Sequence, residues 1–229
     1  MAGDERLAEA GRHYKSDWHR LSATFPSAVL HVQGDASGAE IQAAGEATTC
    51  DLQDTVGITP EDTVLEIGCG VGRVGKALAP LCREWIGCDV SPNMLAHARG
   101  RLKQATNVRL LEISGCDLKP VAASTVDVVY CTVVFPHLDE WDRYGYVLEA
   151  KRVLRPGGRL FIDNFNLCHD RGWDLFESLR EAYPPDRRPS HISRSSTLAE
   201  METYLRRAGF GAVRLREKDL WIQAWAVRP

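Results

Sequence analysis

Glu66 ends an apolar run and stands two residues before a loop with glycine at positions 68, 70 and 72. The segment Gly68-Cys69-Gly70-Val71-Gly72-Arg73 lets a chain leave a strand, turn sharply and bring its backbone against a ligand where a side chain would collide. Asp89 closes a second apolar run, a position from which a carboxylate accepts hydrogen bonds from both hydroxyls of a ribose. Asp117 follows a third run, and its carboxylate suits an adenine amino group. Thr132 closes a fourth, beside the point where open α/β sheets bind ligands. Each acid alone reads equally well as a helix cap or a solvated loop end. Together, in order at the ends of successive runs, they point to one nucleoside-like ligand. Gly70, Gly72 and Gly75 also satisfy the dinucleotide pattern G-x-G-x-x-G, and an ordinary tight turn would carry the same glycines. Glu66 argues against a pyrophosphate, which it would repel, and suits a cationic ammonium.

His137, in Phe135-Pro136-His137, is the candidate general base, because an imidazole titrates near neutrality and follows the fourth run. A histidine packed for structure is the alternative. Asp163-Asn164 after the fifth run offers one carboxylate and one amide, while the fourth run ends in Cys131-Thr132. That is an incomplete shell for a hard cation, so no metal is expected. Tyr14 and Trp18 are four residues apart, on one face of a helix, as an aromatic lid or as core. Arg187, Arg188, His191 and Arg194 crowd an irregular stretch, to hold an acidic substrate or to face solvent.

The elements that must position these groups follow from the pattern around them. Short apolar runs at about 63–69, 84–90, 107–114, 125–134 and 159–166 alternate with helical stretches. The helical stretches cover 73–82, the segment after Ser91-Pro92, and 139–154. Such alternation predicts a parallel sheet covered on both faces. A helix over about 197–208 and two runs separated by Lys218 and Asp219 predict a closing antiparallel hairpin. The chain of 229 residues, with 28 basic and 31 acidic side chains and a net charge of −3, is not a basic nucleic-acid binder. No apolar run approaches the ~18 residues of a membrane span, and the charged start lacks a secretory core. Seven cysteines without a CxxC pair read as reduced core thiols. A cytoplasmic location is expected.

In VLEIGCGVGR, CDVSPNML, GCDL, VDVVYCTVVFPHL and VLRPGGRLFI, in that order over about 63–163, the chain resembles the class I S-adenosylmethionine-dependent methyltransferases of small molecules. The resemblance implies an α/β, Rossmann-like, doubly wound seven-stranded sheet of order 3-2-1-4-5-7-6, with strand 7 antiparallel. It implies S-adenosylmethionine as cofactor, S-adenosylhomocysteine (SAH) as product, and a small-molecule acceptor with an O, N or C nucleophile. Glu66 would orient the glycine loop and the methionine amino group, and Gly68, Cys69 and Gly70 would meet the methionine portion. Asp89 would hold the ribose, Val90 and Met94 would pack on the adenine, and Asp117 and Leu118 would recognise its edge. Thr132 would lie near the methionine end, with Trp18 on an N-terminal helix covering the cofactor. One domain is expected over 1–229, with 1–60 as a helical cap and 166–196 as a substrate-side insertion, acting as a monomer or homodimer. A non-catalytic cofactor-binding protein and a protein or RNA methyltransferase are the alternatives.

Overall fold

Side chains alternate across each central strand, and both sets are apolar. Val64, Trp85, Val128, Tyr130 and Phe161 pack on one face, and Leu65, Ile86, Val129, Leu160 and Ile162 on the other. A sheet apolar on both sides needs a helical layer on each. The computed structural model describes residues 14–34 and 36–229; residues 1–13 and Asp35 of the expected cap lie outside the described residues. Helices α1 (14–21), α2 (Phe25–Gln33) and α3 (Gly38–Thr55) precede strand β1 (Thr63–Ile67). Then come α4 (Arg73–Leu78), β2 (Glu84–Asp89), α5 (Pro92–Arg101), β3 (Val108–Glu112), β4 (Val126–Cys131), α6 (Glu140–Val153) and β5 (Leu154–Phe165). Helices α7 (Asp170–Ala182) and α8 (Leu198–Arg207) and strands β6 (Gly211–Lys218) and β7 (Trp221–Val227) complete the described chain.

The seven strands form one sheet in the order β3-β2-β1-β4-β5-β7-β6. Strands β1 to β5 run parallel, and β7 is antiparallel to both β5 and β6. This is the expected architecture. The direction of the order reverses between β1 and β4, so the loops leaving their carboxyl ends splay apart and open a crevice there.

The structure differs from expectation locally. The third run, at the sheet edge that the expected order gives it, is not covered throughout: Arg109 and Glu112 are exposed, and Arg109 pairs with Glu84 at 3.2 Å. Strand β5 runs through Pro156-Gly157-Gly158 rather than starting after it. The hairpin turns on Asp219 and Leu220, with Asp219 at φ 53°. The segment before α6 opens with a 3-10 turn over Phe135–His137, and α6 itself is capped by Asp139, which accepts from the Asp142 N–H.

Helix α3 carries a capping box between Ser37 and Glu40 and lies across α4. At Gly45 the helix backbone comes so close that a Cβ would overlap the Arg73 carbonyl. Gly45→Ala is therefore expected to destabilise the fold by about 1–3 kcal/mol. Gly38→Ala, with open space around it, should be neutral or stabilise by up to about 1 kcal/mol. Urea midpoints at an unchanged m-value check the pair; equal midpoints would show that α3 is not seated on α4.

Candidate functional site

The loop from β1 to α4 turns through three glycines at positive φ, Gly68 at 72°, Gly70 at 51° and Gly72 at 73°. Gly68 has a second reason to lack a side chain, since a Cβ would overlap the Val134 methyl group from the loop after β4. Asp89 ties this loop to β2: one carboxylate oxygen accepts the Gly70 N–H at 2.8 Å and the other the Ser91 N–H at 2.9 Å. Burial still pushes the Asp89 carboxyl up to about 6, against the pull of those N–H donors. Ser91 caps α5 and shares a 2.8 Å hydrogen bond with Ser22, which docks the segment after α1 onto the same corner.

Glu66 is buried, and its carboxylate accepts the Tyr130 hydroxyl at 2.6 Å. Burial pushes it up to about 8, opposed by the Tyr130 donor and the Arg73 guanidinium. The glycine loop is thus held by Asp89, and no hydrogen bond runs to it from Glu66. Arg73, the residue that closes the glycine motif, was not singled out in the sequence. Its guanidinium donates to the Ala44 carbonyl at 3.2 Å and the Thr48 hydroxyl at 3.0 Å, which fastens α3 over the site.

After β4 the backbone is strained. Val133, a β-branched residue, sits at φ 60° and donates its N–H to Asp163 at 2.7 Å. Burial raises Asp163 to about 7, against that N–H and Arg73. Asn164 donates to the Ser196 hydroxyl at 2.7 Å, so the Asp163-Asn164 pair braces two loops. Among the described residues no group of three or more His, Cys, Asp or Glu side chains is arranged to hold a metal. Next to Val133, the Thr132 hydroxyl is buried without a protein partner.

His137 Nδ1 lies 2.9 Å from the His191 carbonyl, which can only accept, so Nδ1 carries the proton and Nε2 is the ring's acceptor. Burial pulls its pKa down to about 4; the His191 carbonyl opposes this, and His191, Arg194 and His31 nearby reinforce it. Arg143 holds the surrounding backbone, donating to the carbonyls of Phe135 at 2.9 Å and Arg194 at 2.8 Å, to Ser196 at 3.0 Å and to Glu200 at 3.1 Å.

These parts enclose a cavity of about 780 Å³, the solvent at its mouth included. Its walls bring together Trp18, Glu66, Gly68, Cys69, Gly70, Asp89, Val90, Met94, Thr132 and His137, all of which the sequence had singled out. Trp18 packs edge-on to His137, with ring centroids 4.9 Å apart. Tyr14 also lines the cavity, its phenol pushed up to about 12 chiefly by burial.

Asp117 and Leu118 are not among the residues that line the cavity. The Leu118 N–H goes to Glu149 at 2.7 Å and its carbonyl takes Arg152 at 2.9 Å, while Asp117 accepts the Lys119 N–H at 3.1 Å. Ile113 and Gly115 form the wall there instead. Arg187, Arg188, His191 and Arg194 also stay outside; that stretch contributes the His191 carbonyl rather than a charged side chain.

A family model described as a methyltransferase domain matches residues 65–162. The malonyl-acyl-carrier protein O-methyltransferase of Methylococcus capsulatus is 28% identical over 163 residues, 70% of this chain and 56% of that protein. The demethylmenaquinone methyltransferase of Tropheryma whipplei is 33% identical over 111 residues, 48% of this chain and 45% of that one. The chain spans about half the length of the curated relatives it matches. The magnesium protoporphyrin IX methyltransferase of Synechocystis PCC 6803, solved with bound SAH, shares the fold at a TM-score of 0.61 and 19% identity, covering 82% of this chain and 83% of that one.

The His137 environment sets a pH dependence of stability. Between 6.5 and about 4 the unfolded chain binds a proton that the native ring refuses. This contribution is full above pH 6.5 and lost as pH falls towards 4. Glu66, Asp163 and Asp89 act with the opposite sign, so the histidine is isolated by difference. The stability advantage of wild type over His137→Gln should shrink by on the order of 3 kcal/mol across that window. Denaturant titrations at several pH values measure it, and a constant advantage would contradict the buried, neutral ring.

Proposed function

Because the chain belongs to the class I S-adenosylmethionine-dependent methyltransferases, we propose that it binds this cofactor in the cavity at the carboxyl ends of β1, β2 and β4. There it transfers the methyl group to a small-molecule acceptor. The observation that carries the reading is the cavity itself, which gathers the glycine loop, Glu66, Asp89, Met94 and Thr132 around one volume.

The chain's own residues divide the work. The Asp89 carboxylate takes the Gly70 and Ser91 N–H groups, with the Val90 N–H also acting on it, and keeps acceptor capacity for a ribose hydroxyl. The unpartnered Thr132 hydroxyl and the wall formed by Gly68, Cys69 and Gly70 suit the methionine portion, while the N–H groups of those three already donate to the Cys88 carbonyl and to Asp89. Val90 and Met94 supply the apolar wall for the adenine, and Ile113 and Gly115 meet its edge in place of Asp117 and Leu118. Tyr14 and Trp18 on α1 close the cavity towards solvent, with α1 to α3 acting as the cap of one catalytic unit. Bound there, the cofactor supplies an electrophilic methyl group. His137 orients the acceptor by taking a hydrogen bond at Nε2, and it stays neutral through the physiological range.

The acceptor end is walled by Trp18, His31, Val32, Val134, His137 and Leu138. Aliphatic and aromatic groups there favour a small, largely apolar acceptor. The net charge of −3 supports a small molecule over a nucleic acid. Free cysteines, five of the seven buried or half-buried, support a reducing, cytoplasmic setting. No helix among the described residues is long and apolar enough to cross a membrane.

Calorimetry with SAH tests the cofactor site directly. Wild type should bind, and Asp89→Ala should bind more weakly by about 1.5–3 kcal/mol, the worth of a hydrogen bond to a charged group. No binding by wild type would remove the reading. His137→Ala should lower single-turnover methyl transfer by about 10²-fold, the scale of lost positioning, with cofactor affinity nearly intact. The wild-type rate should not fall between about pH 8 and 6 on account of this ring, since its proton binds only near 4. Rates with a panel of hydroxyl, amine and thiol acceptors check both points. Identical rates for the two proteins would leave His137 a structural residue.

A further inference from the structure

Beneath the cavity wall a chain of buried polar side chains ends on Glu66. Trp85 is fully buried and its indole N–H donates to the Tyr130 hydroxyl at 2.9 Å; the hydroxyl in turn donates to Glu66 at 2.6 Å. An indole nitrogen can only donate, so the direction is fixed: Trp85 to Tyr130 to Glu66. Sheet register makes this possible. Tyr130 lies directly across β1 from Glu66, and Gly87 lies directly across on the other side, next to Trp85 along β2. Because Gly87 has no side chain, the Trp85 ring lies over it; a Cβ there would overlap the ring. A Cβ on Gly75 of α4 would lie 2.5 Å from the same ring. The indole is therefore clamped between two glycines on different elements, with one orientation open to it.

Of the three side chains, only Glu66 reaches the cavity. Buried polar groups in a core cost free energy that apolar residues of the same shape would not. Tyr130 and Trp85 otherwise sit among aliphatic and aromatic neighbours. We propose that Trp85 and Tyr130 are positioning residues, a relay that presents the Glu66 carboxylate to the ammonium group of the bound cofactor. The proposal rests on the cofactor reading above, but the relay itself exists without ligand.

The groups facing Glu66 are few. Arg73 approaches from α4, Asp89 from β2, Tyr130 from β4 and the Cys69 thiol from the loop. The thiols of Cys88 and Cys131 lie farther along the neighbouring strands and also feel its charge. Burial raises Glu66 to about 8 although the phenol donor lowers it, so losing that donor raises it further. An incoming ammonium then has to displace a proton, and affinity rises with pH until Glu66 is ionised.

The test uses Tyr130→Phe, which keeps the ring, and Trp85→Phe, which removes the first donor. In ligand-free protein, carbon NMR of the Glu66 carboxyl should show its titration midpoint moved up by about one unit in Tyr130→Phe. SAH affinity should be about ten-fold weaker than wild type at pH 7 and still rising at about pH 8.5, where wild type has levelled. Trp85→Phe should show the same shift, smaller. An unmoved midpoint, or an affinity loss uniform across pH, overturns the relay and leaves Tyr130 as packing. Failure of wild type to bind SAH instead overturns the cofactor reading, and the NMR midpoint separates the two outcomes.

Discussion

Three carboxyl groups, Glu66, Asp89 and Asp163, are buried at the carboxyl end of the parallel sheet, and burying them constrains everything built above it. A carboxylate removed from water must find donors or give up its charge. Each finds a different one: the Tyr130 phenol for Glu66, the Gly70 and Ser91 N–H groups for Asp89, the Val133 N–H for Asp163. Tyr130 stands on β4 itself, and the N–H donors sit on the loops after β1, β2 and β4. The loops therefore take the shapes that satisfy the acids, including the strained Val133. The cavity is the space those loops leave between them.

One buried cation links this cluster to the cap. Arg73 draws Glu66 and Asp163 back towards their charged forms, yet its hydrogen bonds run to α3, to Ala44 and Thr48. Long-range electrostatic attraction thus acts on the acids while directed bonds hold the helix. The close seat at Gly45 lets α3 reach that guanidinium. A cap attached in this way is part of the site's charge balance as well as its roof.

The sheet and most of the cavity were legible because their signals are local. Apolar runs, a glycine cluster and acids at strand ends are visible within a few residues of each other, and strand order followed from the family resemblance. What escaped depends on partners distant in sequence. Nothing in their apolar runs marks Tyr130 or Trp85; the register sets Tyr130 and Gly87 on either side of Glu66, and the Trp85 ring covers that glycine. Asp163 read as the one carboxylate of a shell too incomplete for a cation, and its bond to Val133 joins β5 to the loop after β4. His191 stood out for its ring, but its carbonyl does the positioning. Asp117 and Leu118 fitted a motif, yet Glu149 and Arg152 of α6 had already engaged the Leu118 backbone. Patterns along the chain identify residue types; competition for hydrogen bonds across the fold decides which remain free for a ligand.

His137 carries the same logic to the reacting end. Its ring lies at the cavity wall against the Trp18 indole, with the rings of His31 and His191 close by. A protonated imidazole here would put a positive charge on the wall of the cavity proposed to hold a sulfonium, and like charges repel more strongly in a site of low dielectric. Keeping the ring neutral removes the conflict; burial achieves it against the His191 carbonyl, whose part is to fix the proton on Nδ1 and leave Nε2 as an acceptor. The same neutral state makes the ring a weak base. In the proposed reaction such a ring would suit an acceptor that needs no proton removed before the methyl moves. Orientation at Nε2 matters from the start of such a reaction, and proton uptake only at its end.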